Sequence, residues 1–309
     1  VSAVTAPLAV LGGGSIGVAF ATQFALSGRE VRIYDPVLER RAVVEAEVRV
    51  RLEDLYANDL LKEPVQIVLD RVLVASEIAE AVDACVLAQE CAPERLEIKR
   101  ELFASAAAAN PQMILASSSS ALTPSSMAGD ESWADRLIVA HPGNPPYLIP
   151  VIELVPGLRT GDGVIDAAAE VFKSVGLRPI RLAREIEGFV FNRLQGAVLR
   201  EAYCLLRDGI ASVEDIDTVM KDGLGRRWAF MGPFETADLN VRGGLAAHAA
   251  RMGPAYESMG AGRGQHDPWT PELVSEAHQQ RREQLPLKDW EERVRWRDLE
   301  LMRRKRLLG

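Results

Sequence analysis

Two residues of this chain stand where a proton could be moved. His141 closes the apolar run Leu137-Ile138-Val139-Ala140, and Glu153 sits inside the next one, Val151-Ile152-Glu153-Leu154-Val155. A carboxylate in such a run is costly to bury without a partner, and imidazole is the side chain that carries protons near neutral pH. At consecutive strand ends the two form a base and its orienter, the pair that oxidation of a secondary alcohol requires. From spacing alone, a structural histidine and a solvent-facing glutamate account for the same residues equally well.

A second group of residues is suited to an anion. Gly12-Gly13-Gly14-Ser15-Ile16-Gly17 follows the apolar run Pro7-Leu8-Ala9-Val10-Leu11 and opens a stretch with helical spacing up to Ser27. Gly12 permits the tight turn, Gly14 lets backbone approach a pyrophosphate, and Gly17 lets the helix pack on the strand. Phosphates then meet the free N–H groups of the first helical turn, at Ser15 and Ile16, and the positive end of the helix dipole. Asp35 ends the next apolar run, Val31-Arg32-Ile33-Tyr34, at the distance expected of a ribose-binding acid. A carboxylate there repels a 2′-phosphate, so the expected cofactor is NAD. The other reading is a structural glycine turn, against which the strand, helix and acid weigh together.

These residues need elements to hold them. Strand runs are expected at 7–11, 31–34, 71–74, 85–88, 113–116, 137–140, 151–155 and 179–182. Helical stretches are expected up to Ser27 and over 38–61, 93–108 and 164–174. Such alternation predicts an α/β, Rossmann-like, doubly wound and mostly parallel sheet. From Gly188 the pattern becomes helical without strand partners, with Ser212 placed to cap a helix. The expected organisation is therefore a nucleotide-binding domain over 1–187 and an all-α domain over 188–309. The segment from Gly260 to Pro268 fits either a mobile loop or an ordered turn, and residues 287–308 read as arginine-rich and amphipathic.

Bulk properties exclude several function classes. A net charge of -8 offers no attraction to nucleic acid or to an anionic membrane. Residues 1–20 are apolar but are interrupted by glycines and lack a basic start, so neither a signal peptide nor a membrane span is expected. Cys85, Cys91 and Cys204 match no zinc spacing, and none of the four histidines sits in a ligand cluster. The expectation is a cytoplasmic, metal-free protein with reduced thiols.

Further segments carry a resemblance. They are Pro93-Glu94 with Lys99-Arg100-Glu101-Leu102-Phe103, Ala116-Ser117-Ser118-Ser119-Ser120-Ala121-Leu122, His141-Pro142-Gly143-Asn144-Pro145, Glu187-Gly188-Phe189-Val190-Phe191-Asn192-Arg193-Leu194, and Met231-Gly232-Pro233-Phe234-Glu235. With the glycine turn and Glu153, in this order, the chain resembles the 3-hydroxyacyl-CoA dehydrogenase superfamily over essentially its whole length. The resemblance implies that His141 is the catalytic base and Glu153 the carboxylate that orients it. It implies that Ser120 bonds the reacting oxygen and that Asn192 lies near substrate and nicotinamide. Glu94 and Lys99 would line the nicotinamide-ribose side, with hydride passing directly to NAD. A homodimer is expected, since apolar helices beyond Gly188 would otherwise stay exposed.

Within the superfamily, the acyl-CoA enzymes usually carry His-Phe-Phe-Asn-Pro where this chain has His141-Pro142-Gly143-Asn144-Pro145. That departure, the serine run and the segment from Asp222 to Pro233 look like the lambda-crystallin and L-gulonate 3-dehydrogenase branch. Arg227 suits a small hydroxy acid, because a guanidinium holds a carboxylate with two parallel donors; a surface arginine capping a helix end is the plainer reading. The carnitine dehydrogenases share the stretch from Arg227 to Pro233, while Glu235, Thr236 and Asn240 favour the L-gulonate branch. The expectation is oxidation of the 3-hydroxyl of a small hydroxy acid, L-gulonate foremost. The alternatives are L-carnitine, a 3-hydroxyacyl-CoA, a crystallin-like structural role, or a module that senses NAD.

Overall fold

The computed structural model describes residues 6–240 and 244–263, and beyond these positions 271, 272, 275, 283, 286–289, 292, 295, 296, 298, 299, 302, 303, 305 and 306. They fall into two compact units, Val1–Asn192 with Val294–Gly309, and Arg193–Arg293. The division comes five residues after the boundary expected at Gly188, and the last residues belong with the first unit.

The first unit follows the expected alternation. It runs β1 (Leu8–Leu11), α1 (Ser15–Leu26), β2 (Val31–Tyr34), α2 (Leu38–Ala57), α3 (Val65–Leu69), β3 (Val72–Val74), α4 (Ile78–Val82), β4 (Leu87–Glu90) and α5 (Leu96–Ala109). Then come β5 (Ile114–Ser117), α6 (Pro124–Ala128), β6 (Leu137–Pro142), β7 (Val151–Pro156), α7 (Val164–Ser174) and β8 (Arg178–Arg181). The sheet order is β3-β2-β1-β4-β5-β6-β7-β8. Every pairing is parallel except β6 with β7. The order reverses between β1 and β4, the switch point at which a doubly wound sheet opens a crevice for ligands.

The period-2 alternation of the strands divides the interior in two. Leu8 and Val10 of β1 face a core with Phe20 and Phe24 of α1 and Val44, Val48 and Leu52 of α2. Ala9 and Leu11 face a second core with Phe103 and Ala106 of α5. Helix α2 shows how sequence selects the face: among charged residues, only Val44, Val48, Leu52 and Leu55 are buried, at helical spacing along one stripe. Each large apolar side chain so buried contributes about 1.5–3 kcal/mol.

The second unit is helical, with α8 (Phe191–Arg207) from Arg193 on, α9 (Val213–Thr218), a π-helical stretch (Val219–Leu224), α10 (Gly225–Trp228), α11 (Pro233–Leu239) and α12 (Gly244–Arg263). Ser212 caps α9 as expected, its hydroxyl accepting from the Asp215 amide. The Gly260–Pro268 segment is helical to Arg263, the end of α12; its remainder lies outside the described residues, as does much of 287–308. No helix among the described residues is long and apolar enough to cross a membrane.

The glycine turn is built for close approach. Gly12 has φ +112, and a Cβ there would lie 2.8 Å from the Cys91 carbonyl. A Cβ at Gly17 would lie 1.8 Å from the Gly12 carbonyl oxygen, so the start of α1 presses on the end of β1. Gly17→Ala should therefore lower stability by about 1–3 kcal/mol and weaken NADH binding, measured by thermal unfolding and fluorescence titration. An unchanged Tm with unchanged NADH affinity would contradict this packing.

Candidate active site

His141 and Glu153 meet face to face. They are directly opposed in the antiparallel β6–β7 pair. The His141 Nδ1 lies 2.8 Å from Glu153 Oε2, with His141 8% and Glu153 1% exposed. The structure corrects two details of the sequence reading. His141 lies within β6, which extends to Pro142, and Glu153 lies inside β7 and not at a strand end. The antiparallel reversal makes the meeting possible, since it sets the end of one strand against the beginning of the next.

The other carboxylate oxygen of Glu153 is also used. Its Oε1 accepts from the amides of Val190 at 2.8 Å and Phe191 at 2.9 Å. Gly188 and Phe189 just before them have φ +75 and +50, and this turn aims the two amides at one oxygen. A left-handed backbone is costly for phenylalanine, but the Phe189 ring is fully buried and lies 5.6 Å from the imidazole. Phe191 stands on its edge at 6.2 Å. With Nδ1 engaged by a carboxylate, Nε2 is the nitrogen left to accept a proton.

Ser120 and Asn192 are also brought together. Asn192 Nδ2 donates to the Ser120 carbonyl at 3.3 Å, and the Ser120 side chain is exposed. The loop carrying Ser120 hangs on Glu94. Its Oε1 accepts from the Ser119 hydroxyl and from the amides of Ser120 at 3.2 Å, Ala121 at 3.1 Å and Leu122 at 3.4 Å. Burial pushes the Glu94 carboxyl up, yet Ser119, Lys99 and these amides outweigh it and hold the group below the ordinary carboxylate range. A depressed folded value means that this tether is fully present above the ordinary carboxylate range and is lost only as pH falls through the lower, folded value.

Lys99, expected to line the nicotinamide-ribose side, is a buried side chain. It is 1% exposed and pairs with the fully buried Glu90, at 2.7 Å to Oε1 and 3.0 Å to Oε2. Sequence reading passed over Glu90. An acid two positions after the apolar run Val86-Leu87-Ala88, with a lysine nine positions on, is the signal that marks it.

Three of the expected cofactor residues, Gly12, Gly14 and Asp35, meet in one cleft near the switch point. Gly12, Gly14, Asp35, Cys91, Ala92 and Pro93 line a cleft of about 930 Å³. Gly14 is the N-cap of α1 and makes no side-chain cap bond. Nothing lies within 4 Å of a Cβ built on it, which leaves the N–H groups of Ser15, Ile16 and Gly17 open to an anion. Asp35 accepts from the Gly13 amide at 2.8 Å through Oδ2 and from the Val37 amide at 2.9 Å through Oδ1. Arg40, on the same wall, forms a bidentate pair with Glu47 at 2.7 Å, so its charge is already matched. This negative, glycine-walled cleft fits NAD. Arg227 belongs to the second unit, in α10, where it donates to Asn240 at 3.1 Å. Among the described residues no cluster of His, Cys, Asp and Glu could hold a metal.

Known proteins share this architecture. Residues 7–186 match the 3-hydroxyacyl-CoA dehydrogenase NAD-binding domain and residues 188–289 the corresponding C-terminal domain. A lambda-crystallin homolog from Bos taurus is 43% identical over 244 residues, 77% of this chain and 75% of that protein. An L-carnitine dehydrogenase from Pseudomonas aeruginosa is 36% identical over 272 residues, 86% of this chain and 81% of that one. Among solved structures, a (S)-3-hydroxybutyryl-CoA dehydrogenase from Ralstonia eutropha has a TM-score of 0.66 at 28% identity, covering 82% of this chain and 87% of its own. An NAD+-dependent dehydrogenase of a pyridine carboxylic acid superposes with a TM-score of 0.83 at 24% identity over 98% of both chains, a likeness of fold. The chain belongs to the 3-hydroxyacyl-CoA dehydrogenase family. It is an NAD-dependent dehydrogenase acting on a CH–OH group.

One departure from the acyl-CoA pattern has a steric cause. A Cβ on Gly143 would lie 2.4 Å from Ile149 Cγ2 and 3.1 Å from Val151 Cγ1. The phenylalanine of the His-Phe-Phe-Asn-Pro pattern has no room here, because Ile149 fills the space.

His141→Ala and Glu153→Gln should each lower kcat by roughly 100-fold or more while leaving NADH affinity within about twofold, since the NAD cleft lies between β1 and β4. Stopped-flow turnover and fluorescence titration separate the two effects. Full turnover in either variant would dissociate the pair from catalysis.

Proposed function

We propose that this protein oxidises the 3-hydroxyl of a small hydroxy acid, with L-gulonate as substrate. The observation that carries the reading is the buried His141–Glu153 pair, with Nδ1 engaged and the base held between Phe189 and Phe191. In this reading His141 Nε2 takes the hydroxyl proton, and Glu153 stabilises the imidazolium that forms. Bound NAD supplies the hydride acceptor for the hydrogen on the carbinol carbon. Ser120 bonds the reacting oxygen, and Asn192, tied to the Ser120 carbonyl, holds that contact in place. The α1 N-terminus and Asp35 hold the pyrophosphate and ribose of NAD, and Glu94 keeps the Ser120 loop beside the nicotinamide end.

Support for a small acid comes from Gly143, from the 43% identity to the lambda-crystallin homolog, and from Arg227 as a carboxylate clamp. The identity to an L-carnitine dehydrogenase over 86% of the chain favours L-carnitine as the second reading. A side-by-side assay with L-gulonate, L-carnitine, 3-hydroxybutyrate and 3-hydroxybutyryl-CoA, using NAD and NADP, decides among them. L-gulonate with NAD is expected to give the highest kcat/KM. Arg227→Met should raise KM for the acid at least tenfold, the loss of a charge-assisted contact of about 1.5–3 kcal/mol, with little change for the CoA ester. Equal KM values would remove Arg227 from the site.

The same reading includes a homodimer acting in the reducing cytoplasm. In the second unit only Cys204, Leu206 and Thr236 are buried among the described residues, while Phe230, Phe234, Leu239 and Met259 are more than 60% exposed. Apolar surface of that extent needs a cover, and a second copy of the chain supplies one. Light scattering at micromolar concentration is expected to give twice the chain mass of 33.8 kDa; a monomer would contradict it.

A further inference from the structure

Glu90 and Lys99 form a buried ion pair next to the machinery described above, and neither reaches the His141–Glu153 pair through any bond. A buried pair of this kind adds little stability compared with apolar residues of the same volume, because both charges lose their hydration. Its value lies in what it positions.

The Lys99 ammonium has its partners on two carboxylates and a carbonyl. They are Glu90, the Ala92 carbonyl at 3.2 Å, and Glu94 Oε2 at 3.3 Å. Holding Oε2 leaves Glu94 Oε1 free to gather Ser119, Ser120, Ala121 and Leu122. Glu90 grips the same loop at its root. Its Oε2 accepts from the Ser117 hydroxyl at 2.5 Å, and its carbonyl accepts from the Ser118 amide at 2.9 Å and from the Ser118 hydroxyl. The Ser117 hydroxyl in turn accepts from the Ser119 amide at 3.2 Å. Two carboxylates bridged by one lysine thus fix six consecutive residues, and Ser120 is pinned at its amide by Glu94 and at its carbonyl by Asn192.

We propose that Glu90 and Lys99 are positioning residues that act through Glu94 on the Ser117–Leu122 loop, setting where the Ser120 hydroxyl meets the reacting oxygen. The proposal rests on the reading of Ser120 as the contact to that oxygen. It assigns Lys99 an indirect part in turnover, and it gives Ser117 and Ser119 a purpose. Loss of the pair would let the loop drift, and a displacement of about 1 Å at a reacting group can cost on the order of 100-fold in rate.

The test uses the full chain with Glu90→Gln, Ser117→Ala, Ser120→Ala and the double variant of Glu90→Gln with Ser120→Ala. Hydrogen exchange of peptides covering residues 117–122 requires no turnover. It should speed up at least tenfold in Glu90→Gln while the β6–β7 amides stay protected, and unchanged exchange overturns the proposal. In turnover with the best acid from the substrate screen, Ser120→Ala and Glu90→Gln should each lower kcat about tenfold or more, with NADH Kd within twofold. Their double variant should lose less than twofold beyond Ser120→Ala, because both act at one contact. Additive losses, or a loss confined to NADH Kd, overturn the positioning role. Should Glu90→Gln fail to fold, Ser117→Ala deletes one bond with little change in packing, and the same non-additivity is required of it. Full kcat in Ser120→Ala removes the Ser120 reading itself. A Ser120→Ala loss with a normal Glu90→Gln variant removes only the positioning role.

Discussion

The Glu153 carboxylate sits where water does not reach, inside a strand of an eight-stranded sheet. Such a group is tolerated only when both oxygens find donors, and meeting that demand shapes its surroundings. One oxygen takes the imidazole across the antiparallel pairing. The other takes two successive amides, which face it only because Gly188 and Phe189 adopt a left-handed turn. The reversal of β7, the strain at Phe189, the orientation of the histidine and the first turn of α8 are therefore answers to one constraint. Asn192 lies one residue beyond those amides, so the same carboxylate sets the place of the side chain that holds Ser120.

The cofactor end follows a different logic. There the backbone does the work, and side chains matter through their absence at Gly12, Gly14 and Gly17. Asp35 shapes the turn by accepting from Gly13 while keeping the cleft negative. Cys91 lines this cleft, but burial pushes its thiol up to about 12, so it stays protonated and serves as wall material. The two regions thus use opposite devices, emptied positions in one and a saturated polar network in the other.

Much of this was legible in the sequence, and the limits are physical. Strand runs and the glycine turn are local patterns, so the sheet and the placement of Asp35 follow from periodicity and spacing. The reversal of β7 leaves no such trace, because parallel and antiparallel strands of a buried sheet are equally apolar; hence nothing in the two runs shows that His141 and Glu153 oppose each other in one antiparallel pairing. The Glu90 network was missed for the opposite reason. Its members are spread from Glu90 to Leu122, and only folding shows that Lys99, on a helix with the charge pattern of a surface element, turns inward. The short helices α3, α4 and α6 were also missed, being only five residues each, too short for a periodic signal. Arg227, read as a carboxylate clamp or a helix cap, is bonded to Asn240 in its own unit.

The residues that follow the helical unit return to the sheet unit. Met302 is 2% exposed within the core beside α1 and α2. Arg295 pairs with Asp54, Arg306 with Asp59, and Lys305 donates to the Tyr147 carbonyl, on the hairpin that leads from His141 to Glu153. In the order of synthesis, the sheet unit therefore emerges from the ribosome with a gap in its surface. The helical residues must be made before the segment that fills it. A ribosome pausing after the helical unit would hold a nascent chain whose 141–153 hairpin still lacks the bond from Lys305.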